Sequence, residues 1–447
     1  MSNERYGLGS VRVGDVREYV SEMGPSWVAG AIAAGPATMA SLVTAGASFG
    51  YSLLWVVLLS AGAGALAQYL AMRLGLLTES GIVSVVERHL GTGWAWILVI
   101  DVTLAAGLAQ LIIMKGLADV SATVTGIDAR VWGLVWAAVL AAGLAGRGYR
   151  FVETAAKLLV AAVVVAFLVS LAVVPVDPVA ATGGLVPTVP AGVDGALVAA
   201  GVLGGAVHIT LVTMHSYTMR ARDWTGEDYG VATFDVGASM LGAFGVYSLA
   251  IFLVSASVLQ GAVDPAQVTA LAAAQALGPL VGPAAEALFL AGLLGAALST
   301  LGGNTVVPPF LLADVLGWET DRSDPRYRGL LAGFAALSAL GVFVGGAFFP
   351  LLVVVLAFGL VGTPFALVVV LVLSNSPAVP ESNGPWVNLA GGLLTLVTAV
   401  LAANFVRGRI PPSDPLSWLV VAFAVLLGAA TVGLVVQYAR GAVGRPS

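Results

Sequence analysis

Ala33-Ala34-Gly35-Pro36-Ala37-Thr38 interrupts the first long apolar run of the chain, and Gly201-Val202-Leu203-Gly204-Gly205-Ala206-Val207-His208-Ile209-Thr210 interrupts another. Proline inside a helix offers no N–H to the ladder, and its ring clashes with the carbonyl four residues back. Glycine weakens a helix through lost backbone entropy. Each run otherwise has the ~20 apolar residues that a helix needs to cross a bilayer. Unwound backbone at that depth is tolerated only where it faces protein or a water-filled cavity. A matched pair of broken helices points to a transporter's binding site. The breaks are expected at Gly35-Pro36 and at Gly204-Gly205. Ordinary close packing is the competing reading, because glycine is common in membrane helices and the chain has 56 of them.

Composition places the chain in a membrane. Apolar residues make up 59% and charged residues 10%, against about 25% charged in a soluble domain. There is no cysteine, which removes disulfides and thiolate metal ligands. A net charge of -5 without a basic block speaks against nucleic acid. No phosphate-binding loop and no H-E-x-x-H spacing occur, so neither an ATP-driven pump nor a hydrolytic zinc enzyme is expected. Residues 1–23 mix both signs of charge and read as a polar tail, not a signal peptide.

About twelve spans are expected, near 24–47, 51–74, 93–116, 130–147, 152–174, 194–219, 230–258, 284–312, 328–346, 349–373, 386–406 and 416–439. Glu79–Leu90 is shorter and reads as an interfacial amphipathic helix. With the N-terminus in the cytoplasm, only Lys115, Arg130, Arg407 and Arg409 of the 19 basic residues fall outside. That bias is what the positive-inside rule predicts. The expected protein is therefore a multi-pass protein of the cell membrane, with both termini cytoplasmic. The broken segments are spans 1 and 6, five apart. If spans 1–5 and 6–10 are repeats, an odd number of spans makes them inverted. This divides the chain into a tail (1–23), a ten-helix core (24–373) and two peripheral helices with a short C-terminus (374–447).

Several fragments then resemble one family in order and spacing. Ala45-Gly46-Ala47-Ser48-Phe49-Gly50-Tyr51 resembles the join of spans 1 and 2 in the Nramp family of divalent metal transporters. Gln68-Tyr69-Leu70-Ala71-Met72-Arg73, Gly148-Tyr149-Arg150-Phe151-Val152-Glu153, Gly184-Leu185-Val186-Pro187, His215-Ser216, Gly292-Leu293-Leu294 and Pro364-Phe365-Ala366 are similar to later elements of that family. The resemblance implies an all-α, LeuT-type fold of five plus five helices. It also implies carriage of Mn(II)- or Fe(II)-like ions, usually with protons. The departures are as specific. Where the family's Asp-Pro-Gly-Asn binds metal, this chain has Gly35, Pro36, Ala37 and Thr38. Where the family has Met-Pro-His, it has His208, Ile209 and Thr210. The family's span 10 glutamine falls near Leu356, and its span 3 acids fall near Gly107 and Gln110.

His208 is then the leading metal candidate. Ionisable groups inside a membrane are costly and usually functional, and neutral imidazole suits Mn, Fe, Co, Ni, Cu and Zn. A hydrogen-bonded packing histidine is the bland alternative. Thr38 offers a hydroxyl, and Ala34, Gly35 and Gly205 offer backbone carbonyls. His215, seven residues beyond His208, returns to nearly the same helix face. It is a proton-route candidate or a hydrogen-bond partner of a neighbouring helix. Asp101 is the intramembrane acid of span 3, a counter-charge or a proton carrier. Asn304 is expected to bond across helices. Glu153, Asp235 and Asp314 are expected at helix ends in capping or surface roles.

The leading expectation is a secondary transporter of divalent metal with a remodelled site. The alternative is a transporter of a small organic or anionic solute on the same scaffold, since half-helix N-termini favour negative charge. A non-transporting sensor is the third, and no soluble signalling domain supports it. Beyond the lipid bilayer and the transported ion or solute, no resident cofactor and no obligatory protein partner are expected.

Overall fold

The computed structural model describes residue 11 and residues 15–145, 161–190, 193–264, 268–320 and 323–441. Every regular element among them is helical. Helix coincides with each of the twelve expected spans, although span 5 is described only from residue 161. Among the described residues, eight helical segments are long and apolar enough to cross a membrane, and Ala129–Leu144 and Ala161–Ser170 are shorter apolar helices. One of the eight, Pro36–Thr78, is itself two spans. Gly50 ends the first of them with φ of 54°, a left-handed conformation that glycine adopts without penalty. Leu54–Thr78 then starts afresh as span 2.

Span 1 breaks where proline dictates. Half-helix 1a is Pro25–Ala33 and half-helix 1b is Pro36–Phe49. Between them Gly35 is extended, at φ −70° and ψ −179°, as the residue before a proline tends to be. Span 6 breaks later than its glycines suggest. Half-helix 6a runs unbroken through Gly204 and Gly205 to Val207, and 6b is Ile209–Arg220. The break is His208 alone, at φ −56° and ψ 137°. The two glycines serve close approach instead. A Cβ on Gly204 would overlap the Leu356 carbonyl, and one on Gly205 would overlap the Thr38 hydroxyl.

Spans 6 and 10 form the centre of the bundle, and spans 11 and 12 its rim. The most apolar stretches of spans 6 and 10 are 94% buried, against 22% for span 12. Span 10, Phe348–Leu373, carries no charge, as fits a helix surrounded by protein. Phe358 on it stacks on Phe423 of span 12 at 5.2 Å. The amphipathic segment forms a helix over Ile82–Leu90. Its apolar residues Val83, Val85 and Val86 are fully buried against neighbouring helices, so protein covers the face expected to meet lipid.

Candidate functional site

The two breaks meet at a cavity of ≈ 40 Å³. Span 1 contributes Gly35, Pro36 and Thr38, and span 6 contributes Gly205, His208 and Thr210. Spans 3, 8 and 10 close it with residues that include Ile113, Thr300, Asn304 and Leu356. One water needs about 10–15 Å³ measured this way, so the space suits a few waters or a partly hydrated ion. Among the described residues, no carboxylate, lysine or arginine lines it.

His208 is built into the break. With Ile209 starting a new helix, the Val207 carbonyl loses its intrahelical partner, and Thr363 Oγ1 of span 10 donates to it at 2.8 Å. The imidazole covers the start of 6b: Nδ1 lies 2.8 Å from Thr210 Oγ1 and accepts from Thr210 N at 3.4 Å. Nε2 is buried without a partner. The two contacts call for opposite tautomers: accepting from Thr210 N puts the proton on Nε2, whereas donating to the Thr210 hydroxyl, the shorter contact, puts it on Nδ1 and frees the Nε2 lone pair for a cation. Thr300 Oγ1, also on the cavity, is buried without a partner.

The other sequence candidates fall into three places. Thr38, Gly35 and Gly205 line the cavity with His208. Ala34 does not. Its carbonyl accepts from Tyr247 Oη at 3.1 Å, and it edges a separate, mostly apolar cavity of ≈ 510 Å³ between half-helix 1a and spans 5 and 7. Asp101 is buried in span 3, outside the cavity lining, with neither carboxyl oxygen bonded. Asn304 ties spans 8 and 3 together, donating to the Ala106 carbonyl at 2.8 Å and to Gln110 Oε1 at 3.2 Å. Gln110 also donates to Thr305 Oγ1.

His215 belongs to a different network, at the far end of 6b. Its Nε2 shares a hydrogen bond of 3.1 Å with Ser26 Oγ of half-helix 1a. Asp235 of span 7 accepts from Ser26 N at 2.7 Å and from Gly24 N at 3.3 Å. It thus caps a helix more than two hundred residues away in sequence. The next two residues of 6b continue the clasp. Ser216 Oγ accepts from Ile82 N at 2.9 Å, and Tyr217 donates to Asp314 at 2.6 Å. Asp314 also accepts from the Ser84 hydroxyl. It accepts from Ser84 N as well, at 3.3 Å, so Asp235 and Asp314 do cap helix starts, but those of other segments, and Asp235 does so fully buried. Ser26, Thr300 and Thr363 carry no signal in the sequence, because hydroxyls are common in these spans. The Gly148–Glu153 element and Glu153 lie outside the described residues.

Comparison with known proteins agrees with this architecture. The family model described as natural resistance-associated macrophage protein-like, Nramp, matches residues 26–407. The divalent metal cation transporter MntH of Mycobacterium tuberculosis H37Rv is 30% identical over 397 residues, covering 85% of this chain and 89% of the relative. MntH of Deinococcus radiodurans is 28% identical over 80% of this chain and 83% of its own length. Among solved structures, the manganese transporter of Eremococcus coleocola, in complex with an aromatic bis-isothiourea substituted compound, superposes with a TM-score of 0.71 at 19% identity. The match covers 93% of both chains. The fold is thus the LeuT-type membrane fold that the family resemblance implies.

Proposed function

The chain belongs to the Nramp family, and from that premise we propose that it is a secondary transporter of small divalent cations whose site is remodelled around His208. The observation that carries this reading is the cavity of ≈ 40 Å³ where the two broken helices meet, with His208 on its wall and the Nε2 of that residue buried without a partner. A cavity of that size takes an ion with a few waters. The donors are a nitrogen and several hydroxyl and carbonyl oxygens, which suits Mn(II)- or Fe(II)-like ions. The relatives' names point the same way. The basic-residue bias supports N- and C-termini on the cytoplasmic side.

The test is uptake by proteoliposomes of the full chain, offered Mn(II), Fe(II), Mg(II) and Ca(II) in turn. At least one is expected to enter, and His208→Ala is expected to slow its entry at least tenfold. Uptake of none of the four defeats the reading. A small-anion reading rests on one observation. Half-helix 1b starts beside the cavity with no side-chain cap from Gly35, and helix N-termini favour anions. Halide or nitrate uptake without any metal uptake would establish it instead.

A further inference from the structure

We propose that Asp101 and His208 together hold the transported dication against a glycine-lined face of span 10, one helical turn beyond the cavity. This rests on the divalent-cation reading above. A dication in a low-dielectric site needs negative charge near it, and no carboxylate lines the cavity. The carboxylates of buried Asp235 and half-buried Asp314 are engaged elsewhere, with helix starts and hydroxyls. Asp101 alone among the described carboxylates is buried with both oxygens unbonded. Buried polar groups are nearly always bonded, so such a carboxylate marks a place where something else binds.

Two glycines show what Asp101 and His208 share. A Cβ on Gly359 would overlap the His208 imidazole at Nε2, and a Cβ on Gly362 would overlap both Asp101 oxygens. Residues three apart on a helix lie on one face, with Cβ positions about 5–6 Å apart. The imidazole nitrogen and the carboxylate therefore stand on the same side of span 10, about one turn apart. Metal–nitrogen and metal–oxygen bonds of about 2.0–2.3 Å each let one ion bridge a gap of a little over 4 Å. Leu356, one turn before Gly359, lines the cavity. Leu356, Gly359 and Gly362 thus mark a stripe that leads from the cavity past His208 to Asp101.

The chemistry suits cargo. Among the described residues no cluster of three or more His, Cys, Asp or Glu is placed to bind a metal. Two protein ligands, completed by water or hydroxyls, hold an ion loosely enough to release it. Thr363 sets the register, since its hydroxyl contacts both the Val207 carbonyl and the Gly359 carbonyl, at 2.8 and 3.2 Å.

The experiment is Mn(II) binding to the purified full chain in detergent, followed by loss of the free-ion EPR signal. The variants are Asp101→Asn, Gly362→Ala, His208→Ala and, as a control, Asp119→Asn, whose carboxylate pairs with Lys115. Asp101→Asn and His208→Ala are each expected to weaken binding at least tenfold. Asp119→Asn is expected to stay within twofold. Gly362→Ala keeps the carboxylate but fills the space before it, so it gives the same loss even if Asp101→Asn fails to fold. If His208→Ala weakens binding while Asp101→Asn and Gly362→Ala bind as wild type, the paired site is wrong and the divalent-cation reading stands. If the wild type binds no Mn(II), Fe(II), Mg(II) or Ca(II) at millimolar concentration, both fall.

Discussion

Replacing Asp235 should free half-helix 1a from the bundle. The carboxylate accepts two backbone N–H groups at the start of 1a, at 2.7 and 3.3 Å, and both partners are buried. Hydrogen bonds to charged groups contribute about 1.5–3 kcal/mol each, and the longer one belongs at the low end. Asp235→Ala removes both and leaves two N–H groups buried and unpaired. The docked position of 1a then loses about 2–4 kcal/mol, a shift of roughly 30- to 1,000-fold toward the undocked state. Asp235→Asn keeps one acceptor oxygen and should fall between. The chain has no cysteine, so one introduced at Ala37, on the cavity, reports alone. A small thiol reagent should label it at least tenfold faster with Asp235→Ala than with Asp235, and at an intermediate rate with Asn. Equal rates in all three would mean that Asp235 does not hold 1a, and the magnitude argument fails with it.

Four further outcomes concern span 6 and the ligands around it. Thr363→Val leaves the Val207 carbonyl buried without its donor and should cost about 1–3 kcal/mol, read as a lower melting temperature that Thr363→Ser does not show. Gly205→Ala places a methyl on the Thr38 hydroxyl and should cost about 1–3 kcal/mol by overpacking. Adding Thr38→Ala should recover part of that, a coupling that a double-mutant cycle measures. Thr210→Val removes the hydroxyl that orients His208 and should weaken Mn(II) binding about 10- to 100-fold with the melting temperature unchanged. Since protons compete with a metal for imidazole and carboxylate, apparent Mn(II) affinity should rise as pH is raised from 5 to 8. A flat profile in a binding titration would count against those two ligands.

How much of this was legible in the sequence depended on whether the cause is local. The break at Gly35-Pro36 is local, because proline cannot donate and restricts its neighbour, and the structure places it there. The break in span 6 is not. Gly204 and Gly205 resemble breakers, yet they stay helical because the space they leave is taken by Leu356 and Thr38. The real break at His208 is held by a hydroxyl from span 10, which no spacing within span 6 reveals. Spans could be counted from apolar runs because crossing a bilayer needs a set length. Whether an apolar face meets lipid or protein is a tertiary matter, which is why the pattern of Ile82–Leu90 reads as interfacial while its apolar face is covered by protein. The site shows the same division. His208 stood out as an ionisable group in an apolar span. Asp235 looked like a helix-end residue because the helix it caps lies in span 1.

The most direct test of His208 as the centre of the site is an anomalous difference map from crystals of the full chain soaked in Mn(II). A peak is expected about 2.2 Å from His208 Nε2, beside the face of span 10 that carries Gly359 and Gly362, with Asp101 turned toward it. Crystals that transmit Mn(II) to other positions but show no density within reach of His208 would contradict it.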